Sequence, residues 1–197
     1  MFKRKFERNW HKKIINSIIA KLGRRDGWAI VLDGPEINTT KTLMKAGWKA
    51  DKIVVPNNSE DYKDILRYKN KLGFYTARVS LGDIIRATKT QNYGLVYADY
   101  MCTWQGNSKS RPEADMKELF RKRLMLDGSV LAITLSTRAR KNNGFNHEQI
   151  TECVSTILNE GFNNGYFITP MPVGGVYHNG GAMYTAVFQV TNNEKFQ

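Results

Sequence analysis

Asp99 closes a short apolar run, Leu95 to Ala98, and Tyr100, Met101, Cys102 and Trp104 follow it closely. An apolar run of this length reads as a strand buried on both faces of a parallel sheet. A carboxylate at its carboxyl end lies in the crevice where open α/β sheets bind ligands, and the aromatic residues beside it would hold a flat substrate. Asp33, Asn57 and Asp83 stand in equivalent positions earlier in the chain, each at the polar end of a short apolar segment. His11, His147 and His178 show no metal-ligand spacing, so no metal is expected. Cys102 and Cys153 are too few for a disulfide framework or a zinc cluster.

The elements that must carry these residues alternate. Residues 9–22 have apolar side chains at helical spacing, with Lys12, Lys13 and Lys21 off that stripe. Strands are expected at 28–32, 52–55, 76–80, 93–99 and 129–135. The first ends on Asp33-Gly34, the second on Pro56-Asn57-Asn58 and the third on Gly82-Asp83. Helices are expected from Asn38 to about residue 46, at 59–71, at 113–126 and at 148–158. Segments 166–176 and 182–190 flank His178-Asn179-Gly180-Gly181, whose composition joins two antiparallel strands. Such an order predicts an α/β fold with a mostly parallel, seven-stranded, Rossmann-like sheet, helices on both faces and a C-terminal antiparallel hairpin.

The 197 residues suit one domain at 26–197, preceded by a basic helical segment at 1–25. Hydrophobic content of 41% and charged content of 24% are those of a soluble globular protein. No stretch approaches the roughly 20 apolar residues of a membrane span, so no membrane association is expected. The run 14–20 is broken by Asn16 and Ser17 and followed by Lys21, Arg24 and Arg25, unlike a signal peptide. With so few cysteines, a reduced, intracellular protein is expected. The net charge is +12, and nine Lys or Arg against Glu7 alone place +8 of it in residues 1–25. With Phe2, Phe6 and Trp10 interleaved, this density suits phosphate backbones, though a solvated helix face has the same composition. Arg138, Arg140 and Lys141 form a second basic cluster just after the fifth strand.

The succession of βα units and a terminal hairpin over residues 28–190 resembles class I S-adenosylmethionine-dependent methyltransferases. In that family an acidic residue and a glycine-rich turn follow the first strand and approach the methionine part of the cofactor. Asp33 and Gly34 match, Asn38 or Thr39 would serve at the helix start, and Pro35 and Glu36 stand where further glycines are usual. Asn57 takes the place of the acidic residue on the ribose hydroxyls, an amide being able to pair with a diol. Asp83 and Ile84 match the pair that meets the adenine amino group and packs on its ring. S-adenosylmethionine is thus the cofactor that the resemblance implies. Family members acting on adenine or cytosine amino groups carry Asp or Asn, two prolines and an aromatic after the fourth strand. Asp99 and its aromatic neighbours resemble that motif without the prolines. The resemblance makes Asp99 and Tyr100 catalytic, with Tyr100 or Trp104 clamping a flipped base. Lys12, Lys13, Arg138, Arg140 and Lys141 would hold phosphates.

Two related patterns are only partly present. Cytosine-C5 enzymes share the Asp99 to Cys102 spacing but need a second cysteine where this chain has Leu135-Ser136-Thr137-Arg138. Ribose 2′-hydroxyl enzymes use a Lys-Asp-Lys-Glu set in which Asp99 would be the aspartate, but arginines occupy the fifth-strand tip where a lysine is sought. A methyltransferase acting on DNA or RNA is the leading expectation, with a protein partner for target recognition also possible. The alternative is a methyltransferase-like nucleic-acid-binding module without turnover.

Overall fold

Tyr93-Gly94-Leu95-Val96-Tyr97-Ala98 is buried throughout and forms the centre of a seven-stranded sheet. The computed structural model describes residues 10–108, 110–137, 145–178 and 181–193. The strands are β1 (Trp28–Val31), β2 (Ile53–Pro56), β3 (Tyr75–Ala77), β4 (Tyr93–Asp99), β5 (Met125–Ser136), β6 (Tyr166–His178) and β7 (Ala182–Asn192). The helices are α1 (Trp10–Leu22), α2 (Asn38–Lys45), α3 (Tyr62–Leu72), α4 (Leu81–Ala87), α5 (Pro112–Arg121) and α6 (His147–Asn163), with one 3₁₀ turn at Ala50–Lys52. Strand order is β3-β2-β1-β4-β5-β7-β6. The pairs from β3 to β5 are parallel, and β7 runs antiparallel to both β5 and β6. This is the Rossmann-like sheet with a terminal hairpin that the sequence implied.

Alternation along the strands sorts the helices. Ile30, Val96, Leu131 and Ile133 pack with residues of α4, α5 and α6. Ala29, Val31, Leu95, Tyr97 and Ala132 pack with residues of α1, α2 and α3 on the other face. Helix α1 shares that second core through Ile15, Ile19 and Ala20. Trp10, Ile14 and Leu22 remain exposed, so its apolar stripe is wider than the surface the sheet covers.

Several boundaries differ from the sequence expectation, α6 running on to Asn163 and α3 starting only at Tyr62 among them. The third strand stops at Ala77, because Ser80 caps α4 rather than extending the strand: its hydroxyl accepts the Asp83 N–H while the Asp83 carboxylate accepts the Ser80 N–H. Helix α5 ends at Arg121, and Arg123 follows with φ 52°. The fifth strand begins at Met125 rather than at 129 and so takes in Asp127-Gly128, where Gly128 at φ 69° accompanies a register shift. Strand β6 forms a sheet edge that carries Pro170 and Pro172, with a pairing irregularity before Gly174, which limits further strand addition.

Candidate active site

The strand order reverses between β1 and β4, which opens a crevice at their carboxyl ends. Val31 pairs with Tyr97, so Asp33 and Asp99, each two residues further on, arrive side by side at the mouth of this crevice. A cleft of about 850 Å³ lies there, a size that suits a small-molecule cofactor with room for part of an acceptor. Its walls come from α1 (Lys12, Lys13), the β1–α2 turn (Asp33, Gly34, Glu36, Asn38), the tip of β2 (Asn57, Asn58), Ser80 and Leu81 at the start of α4, the tip of β4 (Asp99, Tyr100), and Asp115.

Asp33 is committed to the chain itself. One carboxylate oxygen accepts the Thr39 N–H at 3.3 Å, and the other accepts the Thr40 N–H at 2.8 Å and the Thr40 hydroxyl at 2.9 Å. These donors belong to the first turn of α2, where a carboxylate satisfies otherwise orphaned N–H groups and opposes the helix dipole. Burial pushes the Asp33 carboxyl above its usual range, with the Thr40 and Thr39 bonds acting in the opposite direction. Ahead of α2, the fully buried Ile37 sits in the left-handed region at φ 48°, ψ 43°, an unusual conformation for a β-branched residue. Gly34 is roomier. A Cβ there would meet only Glu36 Oε2, at 3.8 Å, and its backbone is not left-handed. The bare Gly34 backbone therefore offers a ligand close approach on the cleft wall. Asn57 links the first two tips: its Nδ2 donates to the Asp33 carbonyl at 3.4 Å, and its Oδ1 accepts from Ser59 N at 2.8 Å and Ser59 Oγ at 2.7 Å.

Asp99 faces α1, and Lys12 Nζ reaches its Oδ2 at 2.5 Å. The other oxygen, Oδ1, is buried with no hydrogen-bond partner. Burial by itself would lower the Lys12 pKa, but the adjacent Asp99 carboxylate outweighs it and holds the ammonium above its ordinary value. Lys12 thus remains a cation. Hydroxyl groups lie alongside: Tyr97 OH and Thr134 Oγ1 are 3.3 Å apart, and Thr134 Oγ1 and Thr185 Oγ1 are 2.8 Å apart. Thr134 is the register partner of Asp99 on β5, and the buried Tyr177 of β6 interacts electrostatically with both Asp99 and Lys12.

Tyr100 and Asp115 form a second buried pair, in which the phenol donates to Asp115 Oδ2 at 2.6 Å. A Cβ on Gly82 would come within 2.1 Å of Asp115 Oδ1, so the glycine is what lets α4 and α5 approach here. Burial raises Asp115, which the Tyr100 bond partly offsets, and burial raises Tyr100 well above its usual value. Tyr100→Phe is expected to destabilise the protein by about 1–3 kcal/mol, the range for depriving a buried group of its partner. Because the bond favours the ionised carboxylate, the loss should grow as pH rises through the folded Asp115 value, which burial holds above the ordinary value of about 4. Urea denaturation at pH 4 and pH 7 checks this, and equal losses at the two values would refute it.

Several expected site residues lie elsewhere. Asp83 is bonded to Ser80 and Arg86, which hold its carboxyl near 2, and it does not line the cleft. Ile84 packs against the core from α4 instead of lining the cleft. The reason for both is the capping box, which turns this segment into a helix start. Trp104 is fully buried in the core on the α4–α6 face and presents no ring to a base. Cys102 is pushed up to about 11 by burial, which keeps it a thiol. Arg138, Arg140 and Lys141 lie outside the described residues. Lys12, Lys13, Asp33, Gly34, Asn38, Asn57, Asp99 and Tyr100 all line the one cleft. Asp115 and Tyr177 were missed by sequence reasoning, as was Lys12 as the partner of Asp99. Only the position of Lys12 off the apolar stripe of α1 pointed that way.

A sheet of this order with such a cleft defines the fold of class I S-adenosylmethionine-dependent methyltransferases. Among solved structures, the chain is similar to a "putative rRNA-methylase" from Clostridium thermocellum, with a TM-score of 0.62 and 8% identity over 93% of this chain and 97% of the other. It is also similar to a "putative methyltransferase" from Streptococcus mutans in complex with SAH (0.59, 13%, covering 96% and 99%). A third is the N-methyltransferase NodS of Bradyrhizobium japonicum, likewise in complex with S-adenosyl-L-homocysteine (0.56, 10%, covering 95% and 90%). No protein-family model and no curated protein matches the sequence. No described helix is long and apolar enough to cross a membrane, and no group of His, Cys, Asp and Glu that could hold a metal occurs among the described residues.

Proposed function

We propose that this protein is an S-adenosylmethionine-dependent methyltransferase whose acceptor is DNA or RNA. The Lys12–Asp99 pair carries the reading: a carboxylate with one free buried oxygen, held by a cation, on the wall of a cofactor-sized cleft. When bound, S-adenosylmethionine supplies an electrophilic methyl group. Gly34, Asn38 and Asn57 hold it, while Asp33 acts indirectly by fixing the start of α2. The free oxygen of Asp99 accepts the acceptor's proton-bearing group and aligns it. Lys13, the basic N-terminal segment and Arg138, Arg140 and Lys141 hold phosphates. The similarity to an rRNA-methylase structure and the charge of +12 support a nucleic-acid target.

Calorimetric titration with S-adenosylmethionine and its demethylated product tests the cofactor assignment. Micromolar binding is expected for the native protein. Gly34→Val should weaken it at least 10-fold without lowering stability, since the added side chain points into open cleft space. A folded protein that binds neither ligand but still binds RNA or DNA would leave only the nucleic-acid-binding module.

A further inference from the structure

Three aromatic rings form a column beside the Lys12–Asp99 pair. Its root is Tyr177, 6% exposed. His11 stacks on Tyr177 with ring centroids 5.3 Å apart and planes inclined by 21°. Trp10 lies on His11 at 3.8 Å and 31°. Among the described residues the column ends at Trp10, which is 62% exposed.

We infer that Trp10 is a stacking platform for one unpaired base of a single-stranded nucleic acid whose neighbouring nucleotide enters the cleft; this rests on the nucleic-acid reading above. An indole supported from beneath by two rings is pre-ordered, so stacking a further ring on it costs little conformational entropy. Every nucleobase has a π-face, and stacking on an aromatic side chain is tolerant of sequence. Lys13 follows Trp10 by three residues on the same helix and lines the cleft, placing a cation where the phosphates between two such nucleotides must pass. Ile14 and Leu22, the other exposed apolar residues of α1, suit a protein surface better, but neither belongs to the ring column.

The test is fluorescence anisotropy of a labelled 12-nucleotide oligoadenylate RNA and of the corresponding duplex, at two salt concentrations, with native protein, Trp10→Phe and Trp10→Ala. Trp10→Ala should weaken single-strand binding about 5- to 100-fold, leave the salt slope and duplex binding unchanged, and leave calorimetric cofactor binding unchanged. Trp10→Phe should retain most of the affinity. Unchanged single-strand binding by Trp10→Ala overturns the platform while leaving the nucleic-acid reading intact. An equal loss for duplex and single strand also overturns it, as does an effect confined to self-association on size exclusion, which would assign the indole to a protein interface. Native protein that binds cofactor but no oligonucleotide would remove both the platform and the nucleic-acid target, and leave a methyltransferase for another acceptor.

Discussion

Asp99→Asn should lower the single-turnover rate of methyl transfer by two to four orders of magnitude, the usual weight of a positioned acid–base group. Cofactor affinity should change only a few-fold. Asparagine preserves the size of the side chain but cannot take a proton, and it removes the counter-charge of Lys12. The ammonium, 20% exposed in its side chain, would then be a poorly solvated cation. A stability loss of about 1–3 kcal/mol is expected, less than for a wholly buried pair because water still reaches both groups. Adding Lys12→Met to Asp99→Asn removes the stranded charge, and should restore stability without restoring turnover. A double variant that regains turnover would sink the catalytic role of Asp99. Because Asp99 holds Lys12 above its ordinary value of 10.5, the pH–rate profile should show no loss of activity from Lys12 between pH 7 and pH 10. Deprotonation of Lys12 within that interval would show that the pair is broken in the working enzyme.

Asp33→Ala should cost about 2–4 kcal/mol of stability. The variant leaves two N–H groups in the first turn of α2 without their acceptor. It also withdraws support from the turn that holds Ile37 in its left-handed conformation. Denaturant midpoints measure the loss, and an unchanged slope would confirm that the folded state has kept its extent. Asp33→Asn should lose less, since one amide oxygen can still serve Thr40. The pH dependence has a definite sign. The folded Asp33 carboxyl is raised by burial, so ionising it is harder in the folded protein than in the unfolded chain. Its contribution is complete below the unfolded value near 4 and declines as pH rises through the higher folded value. Native protein should therefore lose ground to Asp33→Asn over that interval. If Asp33→Ala is as stable as the native protein, the carboxylate does not hold α2 and is free for a ligand.

What the sequence made legible was whatever depends on local runs. The apolar segment before Asp99 is a strand because six successive buried residues suit a position covered on both faces. The terminal hairpin was visible in its turn composition. The third strand's end was misjudged because Ser80, Gly82 and Asp83 suit a strand tip as well as they suit a helix cap, and the choice was made by reciprocal bonds between Ser80 and Asp83. Gly128 falls outside the expected fifth strand for a similar reason, since a bulge and a turn both use its positive φ. Trp104 was legible as an aromatic near Asp99, but its burial depends on α4–α6 closing over one face of the sheet. Asp115 resembles any acidic residue in a first helical turn, and only the missing side chain at Gly82 lets it reach the cleft. Lys12 shows the same limit. Its helical position was readable, whereas its destination depends on where α1 crosses the sheet.

That crossing has a consequence for the order of assembly. Lys12 and Asp99 are separated by 87 positions along the chain, and Tyr177 joins them from near the other end. Such contacts have a high loop-closure cost and form only after the intervening strands have found their places. During synthesis the first helix has Trp48 and Thr39 to pack on, but Lys12 has no carboxylate to meet until the fourth strand exists. A partly folded chain therefore has the basic surface but not the paired carboxylate, so attraction to polyanions precedes chemical competence and turnover reports on the completed molecule alone.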